Sequence, residues 1–174
     1  QVPVANAGTD KSITLPTNTL IITGTGTDAD GTITSYNWTK QSGGAAALAD
    51  VATPALNLSG LVVGTYVFRL TVTDNTGATA SDDVTVVVNP VPNILPVANA
   101  GSDKTITLPT NSITLTGSGT DADGFIISYN WVKISGPAQF SIASPSGLQT
   151  AVTNLVQGVY QFEFRVTDNA GGVG

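Results

Sequence analysis

The 174-residue chain is one unit written twice, and that repeat constrains the fold more than any other feature. Residues 3–44 align without gaps on residues 96–137, at an offset of 96 − 3 = 93, with 30 of the 42 positions identical when read off the rows. Pro3-Val4-Ala5-Asn6-Ala7-Gly8 returns as Pro96-Val97-Ala98-Asn99-Ala100-Gly101, and Thr27-Asp28-Ala29-Asp30-Gly31 as Thr120-Asp121-Ala122-Asp123-Gly124. Ser35-Tyr36-Asn37-Trp38 returns as Ser128-Tyr129-Asn130-Trp131. From Leu61 onward the offset is 155 − 61 = 94, with 10 identities between Leu61–Gly77 and Leu155–Gly171. A chain of this length could be one domain, but the repeat predicts two: residues 1–90 and 96–174, joined by a proline-rich linker over 91–95. Three prolines within Asn89–Pro96, Pro96 included, favour an extended, semi-rigid connection.

Within each copy the apolar pattern has period two. Tyr66, Phe68, Leu70 and Val72 alternate with Val67, Arg69 and Thr71, and Tyr160, Phe162, Phe164 and Val166 keep the pattern. Strands are expected over 12–15, 20–24, 33–40, 45–48, 55–58, 65–73 and 80–89. Seven short strands separated by turn signals, without helical periodicity, predict an all-β chain of two immunoglobulin-like β-sandwiches in tandem. The copies end differently. After Gly77 the first runs on through Asp83-Val84-Thr85-Val86-Val87-Val88, whereas after Gly171 the second has only Gly172-Val173-Gly174. The second sandwich is therefore expected to lack its last strand, to be the less stable of the two or to borrow a strand, and the chain to be a piece of a longer protein.

Composition closes off most chemistry. There is no His, Cys or Met, so neither a His- or Cys-based nucleophile system nor an ordinary zinc, iron–sulfur or haem site can be built. A net charge of −6 with 10% charged residues opposes binding to nucleic-acid phosphates. No apolar stretch approaches membrane-spanning length. Of the twelve acids, all but Glu163 are Asp, a residue suited to turns and loop sites. Asp28, Asp30 and Asp74 in the first copy recur as Asp121, Asp123 and Asp168 in the second. Three carboxylates converging from two loops would suit calcium, which takes oxygen ligands in flexible geometry. The alternative is that each Asp accepts backbone N–H groups in a tight turn, with Gly31 or Gly124 supplying positive φ. Asp-Ala-Asp-Gly is not an EF-hand loop, because the later ligands are missing. Paired carboxylates could in principle hydrolyse glycosides, but short duplicated turns without a cleft-forming insertion argue against an enzyme.

Taken together, the Pro-Val-Ala-Asn-Ala-Gly-x-Asp, Gly-Thr-Asp-Ala-Asp-Gly, Ser-Tyr-Asn-Trp and Val-Thr-Asp-Asn-x-Gly motifs resemble those of PKD (polycystic kidney disease) repeats of bacterial secreted and surface proteins, in a divergent branch. The divergence is that Trp38 and Trp131 are followed by Thr39-Lys40-Gln41-Ser42-Gly43 and Val132-Lys133-Ile134-Ser135-Gly136 rather than Asp-Phe-Gly-Asp-Gly. The resemblance implies a non-catalytic spacer, adhesion or interaction module, extracellular or on a bacterial surface, beside other domains of its parent protein. Calcium-binding members use an Asn three residues before the opening Pro together with the loop and turn Asp residues. Here that implies Asn93 with Asp121, Asp123 and Asp168; the first copy's Asp28, Asp30 and Asp74 have no matching Asn and are expected to bind poorly. A carbohydrate- or surface-ligand-binding adhesion module attached to a hydrolase is the competing reading. It needs a flat aromatic platform, whereas eight of the eleven aromatics sit at matched, inward-alternating positions.

Overall fold

A computed structural model describes all 174 residues, which divide into two compact units, Gln1–Val91 and Pro92–Gly174. The first unit is built of β1 (Val4–Asn6), β2 (Lys11–Thr14), β3 (Leu20–Thr23), β4 (Thr25–Thr27), β5 (Ile33–Ser42), β6 (Ala47–Ala49), β7 (Ala55–Ser59), β8 (Gly64–Asp74) and β9 (Thr79–Asn89). One sheet has the order β2-β9-β8-β5, a second β3-β7-β6, and β1 pairs with β4. All these pairs are antiparallel except β2 with β9, where Lys11–Thr14 lie parallel to Val86–Asn89. Every predicted strand is present; β1 and β4, three residues each, are additional.

The core is the space between the two larger sheets. Alternation along β8 turns Tyr66, Phe68, Leu70 and Val72 inward, all fully buried, against Trp38 of β5, Val84, Val86 and Val88 of β9, and Ile22, Leu56 and Leu58 of the facing sheet. Buried aromatic tips find partners. The indole N–H of Trp38 donates to the Thr53 carbonyl at 3.1 Å, and the Tyr66 hydroxyl accepts from Val62 N–H at 2.9 Å. At Gly43, with φ of +105°, a Cβ would run into the Tyr66 ring, so the tyrosine packs flat against the chain there.

The second unit repeats the plan with β10 (Val97–Asn99), β11 (Ile113–Thr116), β12 (Ser118–Thr120), β13 (Ile126–Ser135), β14 (Ser141–Ile142), β15 (Gln149–Thr153) and β16 (Gln161–Asp168). β13 pairs with β16 in the register of β5 with β8, including the same two irregularities. The indole N–H of Trp131 donates to Gly147 at 3.1 Å, mirroring Trp38. As expected, no counterpart of β9 is present. Only its first step is made: Thr167 bridges Val173, and Val166 exchanges two 3.1 Å hydrogen bonds with Gly174. A second difference was not expected. Lys104–Thr107, the copy of β2, forms no strand, because β2 is hydrogen-bonded only to β9 and its copy has nothing to pair with.

The packing differs accordingly. The first unit buries thirteen apolar residues in one cluster. In the second only Trp131, Val152, Leu155, Phe164 and Val166 are buried, while Tyr160 and Phe162 stay half-exposed where Tyr66 and Phe68 are sealed. Each fully buried large side chain contributes about 1.5–3 kcal/mol, so the imbalance favours the first unit. Urea unfolding should therefore show two transitions, the second unit melting first. Leu70→Ala should shift only the later one, by about 2–5 kcal/mol. Simultaneous unfolding with equal stability would contradict this.

Candidate carboxylate site at the end of each sandwich

The period of β8 places a carboxylate on the core face. Tyr66, Phe68, Leu70 and Val72 point inward, and Asp74 is the next residue in phase, 2% exposed. β16 does the same with Phe164, Val166 and Asp168, the last fully buried. A buried carboxylate needs donors, and the following turn supplies them. Asp74 Oδ1 accepts from Thr76 N–H at 2.7 Å, the Thr76 hydroxyl at 2.9 Å and Ala78 N–H at 2.9 Å. Asp168 Oδ1 accepts from Ala170 and Gly172 N–H, both at 2.8 Å. Gly77 and Gly171, each with φ of +88°, let the turn close.

The loop of the Asp-Ala-Asp-Gly motif lies against this turn. Two residues that sequence reasoning passed over, Asn75 and Asn169, fasten it: Asn75 Oδ1 accepts from Thr32 N–H at 3.0 Å and Asn169 Oδ1 from Phe125 N–H at 2.8 Å. Their signal was present, since each follows its turn Asp in both copies. The expectation that Gly31 and Gly124 supply positive φ is corrected. Neither lies in that region; both are glycine because a Cβ would collide with the Asn carboxamide and with Asp28 or Asp121.

In the second unit Asn93 Nδ2 donates to Asp168 Oδ2 at 2.8 Å, and Ile94 N–H donates to Asp123 Oδ2 at 3.1 Å. In the first unit the ammonium of Gln1 meets both oxygens of Asp30, at 2.8 and 2.6 Å. Some carboxylate oxygens have no donor. Asp28 Oδ1, Asp74 Oδ2 and both oxygens of Asp121 are buried without a partner. Asp168 escapes because Asn93 takes the oxygen that is orphaned on Asp74. The predicted residues thus meet at one end of each sandwich, as fastened turns and orphan oxygens rather than as a finished cage: no three acidic side chains are close enough to form a ready metal cluster.

The titration behaviour follows from these surroundings. The Asn93 amide, ahead of an opposing burial effect and with Gly172 and Ala170 N–H, holds Asp168 below the ordinary carboxylate range. Burial pushes Asp74 upward, but the donors of Thr76 and Ala78 outweigh it and its value also falls. Asp121 moves the other way: burial raises it, and the neighbouring charges of Asp123 and Asp168 add to the rise.

Residues 7–88 and 100–174 match the family model described as K319L-like, PKD domain. The chain belongs to that family. It is 41% identical over 169 residues to the mouse dyslexia-associated protein KIAA0319-like protein, which it covers for 16% of its length, the match taking 95% of this chain. It is 37% identical over 172 residues to human dyslexia-associated protein KIAA0319, covering 97% of this chain and again 16% of the relative. A solution structure of the PKD domain from KIAA 1837 protein is 37% identical, with a TM-score of 0.46, over 49% of this chain and 85% of that one. The PKD reading of the motifs holds, but the named relatives are mammalian, so the bacterial branch is replaced by the K319L-like one.

The sign of the titration gives a prediction. Asp168 and Asp74 have lowered folded values, so their contribution is present above the unfolded value of about 3.9 and is lost as pH falls through the folded ones. Asp121 has a raised value, so its contribution is present at low pH and is lost as pH rises through the folded value. In calcium-free buffer at pH 7, Asp121→Asn should raise the melting temperature of the second unit, and the gain should vanish in acid. A lower melting temperature at pH 7 would reverse the assignment.

Proposed function

We propose that this chain is a non-catalytic extracellular spacer and interaction module within a longer protein, whose second unit is stiffened by calcium. The observation that carries the spacer reading is where the shared polar and aromatic residues go. The matched tryptophans are buried, and the turn Asp and Asn residues fasten the module's own loops. Phe125, 65% exposed, stands outside the core clusters and makes no aromatic platform by itself. Neighbouring domains of the parent protein are its first partners. Neither nucleic acid nor membrane insertion fits the charge and strand pattern. The competing reading, adhesion to polysaccharide or a cell-surface protein, would rest on polar loops. Incubation with insoluble polysaccharides separates the two: the spacer reading expects the protein in the supernatant, and retention that soluble sugar reverses would overturn it.

The donor set fits calcium. In the second unit both oxygens of Asp121 are orphaned, and calcium needs hard anionic oxygens of this kind. In the second unit Asp121, Asp123 and Asp168 with Asn93 would hold the ion; bound there, it would supply the positive charge that the Asp121 carboxylate lacks. Extracellular calcium modules bind at roughly 10⁻⁴–10⁻³ M. Titration calorimetry at millimolar calcium should give one site, and calcium should raise the second unit's melting temperature in the native chain but not in Asp121→Asn. Absence of both heat and stabilisation would rule calcium out.

A further inference from the structure

Two tripeptides have the Asn-x-Ser/Thr form that accepts an N-linked oligosaccharide: Asn37-Trp38-Thr39 on β5 and Asn57-Leu58-Ser59 on β7. The fold treats them differently. Successive strand residues point to opposite faces, so with Trp38 buried, Asn37 and Thr39 lie together on the outer face of the sheet, and both are exposed. The carboxamides of Asn6, Asn75 and Asn89 are fastened to backbone groups. That of Asn37 makes no hydrogen bond to the protein, although Thr39 beside it accepts from Gln41 at 2.7 Å.

Asn57 is held. β7 is the middle strand of β3-β7-β6, where Asn57 stands opposite Ile21 on one side and Ala49 on the other. It is half-buried, and its Nδ2 donates to Asp50 Oδ2. A sugar on that nitrogen would displace the Asp50 carboxylate. Asn37 has room instead. It lies on β5, the end strand of β2-β9-β8-β5, opposite Thr71, whose hydroxyl meets that of Ser81 at 2.8 Å. The flanking cross-strand rows are Ser35, Thr73 and Thr79 on one side and Thr39, Arg69 and Asp83 on the other. Every side chain in these three rows is polar, so a sugar standing on Asn37 meets hydroxyls and charges and covers no apolar surface.

The second unit contains a natural control. Asn130 is the copy of Asn37, exposed and followed by the buried Trp131, and it faces Arg165 of β16 in the register in which Asn37 faces Thr71 of β8. At the next outward position, however, Val132 stands where the first unit has Thr39. The strand and the asparagine are the same, and only the hydroxyl that an acceptor tripeptide needs is missing.

We propose that Asn37 is an N-glycosylation site, and that Asn57 and Asn130 are not. The Nδ2 of Asn37 bonds to the anomeric carbon of an oligosaccharide carried on a lipid pyrophosphate. The sugar–phosphate bond breaks, its electron pair leaves with the lipid pyrophosphate, and the amide proton passes to a base of the transferase; nothing is oxidised or reduced. The site rests on the extracellular reading, because the transfer takes place as a chain enters the secretory route. A bulky, hydrated sugar at mid-strand keeps the outer face of β5 and β8 free of protein contacts.

The test is to secrete the intact 174-residue chain from animal cells behind a cleavable leader and to map its glycopeptides by mass. Sugar should be found on Asn37 alone, and peptide-N-glycosidase should release it and leave aspartate in place of Asn37. Thr39→Val, which copies the second unit, should abolish the modification, and Val132→Thr, which copies the first, should add a sugar on Asn130. A secreted chain with Asn37 bare, or with sugar on Asn57 instead, would overturn the proposal. Failure of Val132→Thr to gain a sugar would overturn the claim that this strand position and the hydroxyl together make the site. Because the leader imposes secretion, a bare chain would count against the glycan and leave the extracellular reading standing.

Discussion

The first domain is held shut by one strand. β9 lies between β8 and β2, closes the four-stranded sheet, and contributes three valines to the core. Its hydrogen bonds to β2 and to the segment before it are the only ladder that β2 has. The second domain shows the dependence from the other side. Within residues 92–174, which stop at the first step of the equivalent pairing, Lys104–Thr107 form no strand, and Tyr160 and Phe162 are more exposed than Tyr66 and Phe68. β2 is thus a strand only by virtue of its ladder to β9, some seventy positions later in the chain.

The same strand period that builds the core also builds the carboxylate site. Asp74 and Asp168 are buried because they are in phase with the tyrosine, phenylalanine and valine positions before them. Burying a carboxylate is costly unless hydrogen bonds compensate. Each turn compensates one oxygen with two backbone N–H groups, and the remainder is resolved differently in the two domains. Asn93 completes Asp168, whereas Asp74 keeps an orphan oxygen. Asp121, its carboxylate buried beside Asp123 and Asp168, is held with a raised affinity for a proton.

Membership in the K319L-like PKD family agrees with this economy of parts. The shared motifs are largely fastening devices. Asn75 and Asn169 tie loop to turn, Asn6 and Asn99 each accept from the N–H two residues on at 2.8 Å, and the tryptophans hold a distant carbonyl through the indole N–H. The Lys that follows each Trp by two positions likewise turns to a nearby carbonyl, Lys40 to Gly44 at 2.6 Å and Lys133 to Pro137 at 2.8 Å, with Lys133 also lying over the Phe140 ring at 4.3 Å.

The sequence alone determined the duplication, the strands and the inward residues, because a two-residue period and an internal repeat are local properties of the chain. It also located the acids, since Asp28, Asp30 and Asp74 recur at matched positions. It did not show that Gly31 and Gly124 are glycines for want of space rather than for φ, nor that Asn75 and Asn169 clamp the loops. Nor could it tell which oxygens lack donors, or that Lys104–Thr107 would lose its ladder. Each of these depends on segments far apart in the chain meeting in space, and only the tertiary structure sets which donors and strand edges come together there.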